Sequence, residues 1–279
     1  MYLAQKIFAN RWIAGPDEKT AISTGKKLSR VKIKPIFNYL GEEILNKKDI
    51  TKTINTYLTL LDLIKEENLN CSISIKPTQI GSLISKSELE ENYAKIIKKA
   101  RKYKVFTWLD MESYKSVDST ISLYLNSDNN SYAGICLQSY LRRTIKDAQK
   151  ITKNDGIIRL VKGAYSESKD ISYNRTDSTV NYLQIMKYLF KNSQNFMLAT
   201  HDLNIIKTSF YFSRLYKKRP DYAMLYGISN KLAVKLAKNH NMYLYVPFGT
   251  SWLSYSYRRL RESSNVTLVL RSLLDNQKI

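Results

Sequence analysis

Short apolar runs rich in β-branched and aromatic residues alternate along this chain with longer stretches of helical periodicity. The runs are KPIFNYL (34–40), CSISIK (71–76), VFTWLD (105–110), AGICLQ (133–138), GIIRLVKG (156–163), NFMLAT (195–200), YAMLYG (222–227) and MYLYVPFG (242–249). Each has the length and composition of a buried strand. The stretches between them include ITKTINTYLTLLDLIKEE (50–67), SELEENYAKIIKKARKY (87–103) and DSTVNYLQIMKYLF (177–190). Their apolar positions recur every three or four residues, which places them on one face of an α-helix. Helical connections of this kind are the crossovers that join parallel strands. Eight strands so joined close a parallel barrel. The pattern therefore predicts an α/β fold, a (β/α)8 TIM-type barrel over residues 31–279. Residues 1–30 read as one or two extra N-terminal helices packed outside it, and 263–275 as a short terminal helix. No linker rich in Pro, Gly or Ser divides the chain, so a single barrel domain is expected.

In such barrels chemistry collects at the C-terminal ends of the strands and in the loops that follow. Polar residues gather at those predicted ends. Lys76 closes the second run, Asp110 the third and Gln138 the fourth; Arg159 and Lys162 lie on the fifth, and Thr200 and His201 end the sixth. Singly, each has a plain structural reading: Asp110, for example, stands where a helix N-cap would. Together they predict a polar, on balance cationic mouth. In RLVKGAY (159–165), Gly163 lets a ligand approach the backbone closely and Lys162 supplies a point charge for phosphate. Neither G-x-G-x-x-G nor G-x-x-x-x-G-K-[ST] occurs, so a bound nucleotide would sit on the barrel loops instead.

Composition narrows the classes. An apolar content of 43% belongs to a packed globular protein. Cys71 and Cys136 lie in apolar runs and read as reduced core residues, and with only His201 and His240 as histidines a His/Cys metal cluster is not expected. The net charge of +21 fits a nucleic acid, an anionic lipid surface or an acidic partner, or simply solvated lysines. Against a nucleic-acid-binding module, the basic residues are spread over the whole chain and no recognition-domain signature appears. No apolar run approaches the roughly 18 residues of a membrane span, and Lys and Arg interrupt the N-terminal apolar residues where a signal peptide would be continuous. A cytoplasmic protein is expected.

One stripe breaks the usual pattern. In YVPFGTSWLSYSYRRLRE (245–262), a helix from Trp252 onward puts Tyr255, Arg258, Arg259 and Glu262 at i, i+3, i+4 and i+7. That arc is normally apolar and turned to the core. Here it carries a phenol, two guanidiniums and a carboxylate, and on spacing alone it faces either an anion or water.

Taken in order, SIKPTQIG, WLDMES, LQSYL, RLVKGAY, ATHD, MLYGI and YVPFG-x-x-W-x-x-Y-x-x-RRL-x-E resemble the proline dehydrogenase (proline oxidase) family, over roughly residues 71–262. The resemblance implies a distorted β/α barrel that binds FAD and oxidises L-proline to Δ1-pyrroline-5-carboxylate, the first step of proline catabolism to glutamate. It implies that electrons pass to a membrane quinone. Residue by residue, Arg258 and Arg259 match the pair that clamps the substrate carboxylate, a geometry that a planar guanidinium fork suits and an ammonium does not. Lys76 matches a lysine beside the same site, and Glu262 the acid that orients the basic cluster. Tyr245 and Tyr255 match aromatics on the pyrrolidine ring, and Leu225 an apolar wall. Asp110 matches the aspartate close to the substrate amine, and Arg159 the arginine near flavin N5, where negative charge develops. Met111, Gln138, Lys162, Gly163, Ala164, Thr200 and His201 match FAD-contacting positions.

Because the chain ends shortly after the predicted barrel, a monofunctional member is expected, without an attached aldehyde dehydrogenase or DNA-binding domain. The basic surface would suit a peripheral contact with anionic lipid at the inner face of the cell membrane. Three departures stand out: Ala223 where a glutamine is expected, no acidic residue at Asn38, and Asp202 after His201. The nearest rival substrate is 4-hydroxyproline or another cyclic imino acid; the bulk of Tyr245 favours proline.

Overall fold

The computed structural model describes residues 11–127 and 132–251. Its eight strands are β1 (Ile33–Tyr39), β2 (Ser72–Ile75), β3 (Phe106–Leu109), β4 (Ala133–Gln138), β5 (Ile157–Val161), β6 (Phe196–Ala199), β7 (Asp221–Leu225) and β8 (Met242–Phe248). They follow one another in chain order round a closed parallel barrel. Helices alternate with them: α1 (Glu18–Arg30), α2 (Lys47–Glu66), α3 (Lys86–Lys102), α4 (Val117–Asn126), α5 (Thr144–Thr152), α6 (Arg175–Asn192), α7 (Leu203–Tyr216) and α8 (Asn230–Ala237). Each predicted strand is present, shortened by a residue or more at one or both ends everywhere except β4. The terminal helix predicted at 263–275, and residues 1–10 of the N-terminal extension, lie outside the described residues.

Contacts group the chain into two compact units, one running to Thr107 and resuming at Met224, the other Trp108–Ala223. In the first, β1 pairs in parallel with β2 on one side and β8 on the other, with Asn38 in register with both Ser74 and Pro247. Helix α1 packs on β1 and β8, and α2 on α1 and α3. Ile36, Phe37, Tyr57, Leu60, Leu61, Ile73, Ile75, Leu244, Val246 and Phe248 are buried. Strands covered on both faces lose the in–out alternation of polarity, which is why these runs read as continuous apolar segments.

In the second unit β4, β5, β6 and β7 form a parallel ladder. Helices α5, α6 and α7 pack side by side. Phe190 on α6 sits edge-on to Phe196 at 4.9 Å and to Phe212 at 5.6 Å. The Tyr182 hydroxyl, buried on α6, donates to Leu160 O at 3.1 Å and so ties the helix to β5.

The turns are set by local chemistry. Asn46, Ser85 and Asn174 cap α2, α3 and α6, each side-chain oxygen accepting the N–H three residues on. At the other end, α2, α3 and α5 close with a left-handed residue, Asn68 (φ 47°), Lys104 (φ 58°) and Asp155 (φ 54°). After α3, Val105 N–H donates to Ala100 O at 2.8 Å and Lys104 N–H to Arg101 O at 3.0 Å. This is the helix-ending motif in which glycine usually holds the left-handed position.

Candidate active site

Ladder register builds the centre of the second unit. Residues paired across parallel strands share a face, and Cys136 on β4 is in register with Arg159 on β5. Asp110 follows β3 directly. Arg159 Nη2 donates to Asp110 Oδ1, and the side chains of the pair are 4% and 11% exposed. Arg159 Nε donates to Cys136 Sγ at 2.8 Å, and the thiol in turn donates to Asp110 Oδ1 at 3.3 Å. The guanidinium lies over the Trp108 ring, 5.0 Å from its centroid. That ring needs the glycine on the neighbouring strand, because a Cβ on Gly134 would come within 2.5 Å of it. Burial pushes the Cys136 thiol far above its ordinary range; Arg159 works against this rise and Asp110 adds to it. The thiol is therefore neutral.

This arrangement corrects one expectation. Asp110 caps no helix: the short turn after it, Tyr114–Ser116, has Ser113 at its N-cap position, and the Asp110 carboxylate goes to Arg159 and Cys136. Cys136 is a reduced, buried residue as expected, and it is also a polar contact of the charged pair.

The residues matched to cofactor contacts lie in the same unit. Met111 is buried next to Asp110 in the chain, and Gln138 is buried at the end of β4, its Nε2 donating to Glu112 O at 2.7 Å. Lys162, after β5, donates to Thr179 Oγ1 at 3.0 Å and to Asp202 Oδ2 at 3.3 Å. Gly163 has φ +111°, and a Cβ there would meet the Tyr140 ring at 2.0 Å, so the loop depends on glycine twice over. Ala164 follows it, partly buried. Thr200, after β6, donates its N–H to Ala223 O at 3.1 Å and accepts Asp202 N–H at 3.0 Å. Ala223, where a glutamine was expected, is thus engaged through its backbone. His201 is partly buried in the same loop.

The first unit holds a second polar cluster. Lys76, after β2, is buried and ion-paired with Glu42, their side chains 8% and 15% exposed. The loop that carries Glu42 is pinned to the turn after β2, since Glu43 N–H donates to Thr78 Oγ1 and Ile44 N–H to Thr78 O, each at 3.0 Å. Gln79 Nε2 donates to Tyr39 O at 2.6 Å and the Tyr57 hydroxyl to Ser74 O at 2.7 Å. Asn38, fully buried, donates to Ser74 O at 3.0 Å. Leu225 packs on the cluster of Trp12, Ile13, Leu40 and Ile228. Tyr245 on β8 is in register with Ile36, on the face opposite Leu244 and Val246, and its carbonyl accepts Tyr226 N–H at 3.0 Å.

Asp110 and Arg159 are thus brought together, as are Lys162 and the loop after β6. Tyr255, Arg258, Arg259 and Glu262 lie outside the described residues. Sequence reasoning missed three participants. Glu42 sits in a loop with no periodic signal. Asp202 stands out in the sequence only as a departure after His201, with nothing local to indicate Lys162 as its partner. Cys136 had a signal that went unused, since it lies two residues before Gln138 and therefore on the same strand face.

A profile of the family described as proline dehydrogenase matches residues 21–271. Proline dehydrogenase 1 of Bacillus subtilis (strain 168) is 30% identical over 276 residues, covering 96% of this chain and 91% of the relative. The proline dehydrogenase of Deinococcus radiodurans is 30% identical over 280 residues, covering 95% and 90%. Among solved structures, proline utilization A from Bdellovibrio bacteriovorus, inactivated by N-propargylglycine, superposes with a TM-score of 0.88 at 22% identity, over 98% of this chain and 34% of that one. Proline utilization A from Corynebacterium freiburgense gives 0.80 at 21% identity, over 96% and 32%. The chain spans about a third of the length of these solved chains, and the likeness to them is one of fold.

Proposed function

The chain belongs to the proline dehydrogenase family, and on that premise we propose that it oxidises L-proline to Δ1-pyrroline-5-carboxylate with FAD, electrons passing on to a quinone. The observation that carries this reading is the buried Arg159–Asp110 pair. A cation held in a desolvated interior acts strongly on nearby charge, because little water screens it. The guanidinium, its field offset in part by Asp110, presents the sign needed beside a flavin ring that becomes electron-rich.

Features of the chain fit such a cofactor. Gly163 offers a backbone that only glycine can adopt at that point, and Lys162 a partly exposed ammonium for phosphate. Gln138, Met111, Ala164, Thr200 and His201 are the further proposed contacts. When bound, FAD supplies the hydride acceptor.

The remaining work falls to the protein. Arg258 and Arg259 hold the proline carboxylate as a fork, with Glu262 orienting them. Lys76, itself held by Glu42, adds positive charge at the same end of the substrate. Tyr245, Tyr255 and Leu225 confine the ring. Asp110 keeps Arg159 in place and presents negative charge to the substrate amine, which must lose a proton before its lone pair can assist hydride departure from C5. Purified protein should be yellow and should bleach with L-proline under anaerobic conditions. Colourless protein that FAD cannot reconstitute would overturn the reading, and faster bleaching by 4-hydroxyproline would reassign the substrate.

For the quinone, a membrane contact follows. Helix α7 exposes Leu203, Tyr211 and Leu215 by 51%, 63% and 55%. Residues 203–219 also carry Lys207, Arg214, Lys217, Lys218 and Arg219, with no acidic residue. Helical spacing puts Lys207 and Arg214 on the same arc as Leu203, Tyr211 and Leu215, and exposed apolar residues interspersed with basic ones suit an anionic lipid surface. No helix among the described residues is long and apolar enough to cross a membrane. Vesicles with anionic lipid should retain the protein and neutral ones should not, and Tyr211→Glu with Leu215→Glu should abolish retention. Retention unchanged by the double variant would place the contact elsewhere.

A further inference from the structure

We propose that Cys136 is a positioning residue, whose thiol fixes the plane of the Arg159 guanidinium by accepting from Nε and donating to Asp110. The function assigned to that guanidinium rests on the reading above; the geometry does not. Three hydrogen bonds close a ring: Arg159 Nη2 to Asp110 Oδ1, Arg159 Nε to Cys136 Sγ at 2.8 Å, and Cys136 Sγ to Asp110 Oδ1 at 3.3 Å. Nε and Nη2 lie on one edge of the guanidinium. An edge held at two points cannot swivel about either one, whereas the bond to Asp110 alone would act as a hinge. The Trp108 face, 5.0 Å away, limits the remaining movement out of the plane.

The chemistry of the side chain suits this task. A thiolate could accept but not donate; the buried thiol stays protonated, as its raised pKa requires, and does both. Valine would fill similar space and do neither. Serine would do both with a shorter reach. The plain alternative is that a buried cysteine here is a small apolar filler, and the two readings part on what each substitution does.

The experiment uses the holoenzyme carrying Cys71→Ala, so that Cys136 is its only thiol. Cys136→Val should lower kcat about tenfold, with KM for proline changed by less than about threefold, and should move the flavin midpoint potential in the negative direction. The small KM change is expected because the interaction acts on the charge that develops in the reaction and not on ground-state binding. Cys136→Ser should recover most of the rate and of the potential. In an Arg159→Lys background, which lacks Nε, Cys136→Val should add nothing further. Independently of turnover, the S–H stretching band in the Raman spectrum should lie below that of a free thiol and rise in Asp110→Ala. Wild-type rate and potential in Cys136→Val would overturn the proposal. So would an equal loss in the Arg159→Lys background, which marks a filler, or a band that ignores Asp110→Ala. A chain that holds no flavin but shows the lowered, Asp110-dependent band would refute the functional reading while supporting this one.

Discussion

Asp202 meets Lys162 at 3.3 Å across 40 residues of sequence, and the same carboxylate caps α7 by accepting Asn204 N–H at 3.0 Å. The two jobs can be separated by substitution. The ion pair is about a third exposed on both sides, and exposed pairs contribute only about 0–1 kcal/mol. A lost cap costs typically about 1 kcal/mol, and asparagine caps as well as aspartate. Asp202→Asn should therefore unfold within about 0.5 kcal/mol of wild type, while Asp202→Ala should lose about 1 kcal/mol in urea titrations. A loss equally large in Asp202→Asn would show that the ion pair, and not the cap, stabilises this loop.

The Arg159–Asp110 pair is a different case because it is buried. Asp110→Ala leaves the guanidinium in the interior without its counter-ion, a change that costs about 3–5 kcal/mol. Replacing both partners by apolar residues of similar size is often far milder. Asp110→Leu combined with Arg159→Met should thus recover much of the stability lost in Asp110→Ala, while proline oxidation stays absent. Denaturant midpoints of the two variants make the comparison. A double variant as unstable as Asp110→Ala would mean that the pair does more for the fold than neutralise charge.

These side chains also mark the limit of what could be read from sequence. The barrel was legible, because buried parallel strands are runs of β-branched and aromatic residues and their crossovers carry helical periodicity. Asp110 was legible as a polar strand end but not in its partner, since Arg159 lies 49 residues away and local pattern offers a helix cap first. Glu42 could not be anticipated: it meets Lys76 only because the loop after β1 folds onto Thr78. The roles of Arg258 and Arg259 came from resemblance, as spacing alone left their stripe facing either an anion or water.

The left-handed end of α3 offers a prediction about the fold alone. Lys104 sits at φ 58° in a position that glycine fills without steric cost. A side chain there costs about 1–2 kcal/mol, and glycine gives back part of that through the greater freedom of the unfolded chain. Lys104→Gly should stabilise the protein by roughly 0.5–1 kcal/mol, a rise in Tm of about 1–3 °C for a chain of this size. Lys104→Ala keeps the strained Cβ and should gain nothing. If both variants melt alike, the backbone at this turn is not strained in solution.

The proposed clamp gives the sharpest test of substrate recognition. Arg258→Lys and Arg259→Lys keep the positive charge and lose the planar fork that matches a carboxylate. Each should weaken proline binding by roughly 1.5–3 kcal/mol, the worth of a hydrogen bond to a charged group. At about 1.4 kcal/mol per factor of ten, KM should rise about 10- to 150-fold. The carboxylate does not change charge as hydride leaves C5, so this energy is spent equally on ground and transition states and kcat should fall less than KM rises. Some loss of kcat is still expected, because a tilted ring presents C5 badly to its acceptor. A substrate analogue separates charge from geometry: prolinamide, which lacks the carboxylate charge, should bind wild type weakly and should be little affected by either lysine substitution. Unchanged KM for proline in both variants, or an equal penalty for prolinamide, would show that these arginines do not grip the carboxylate.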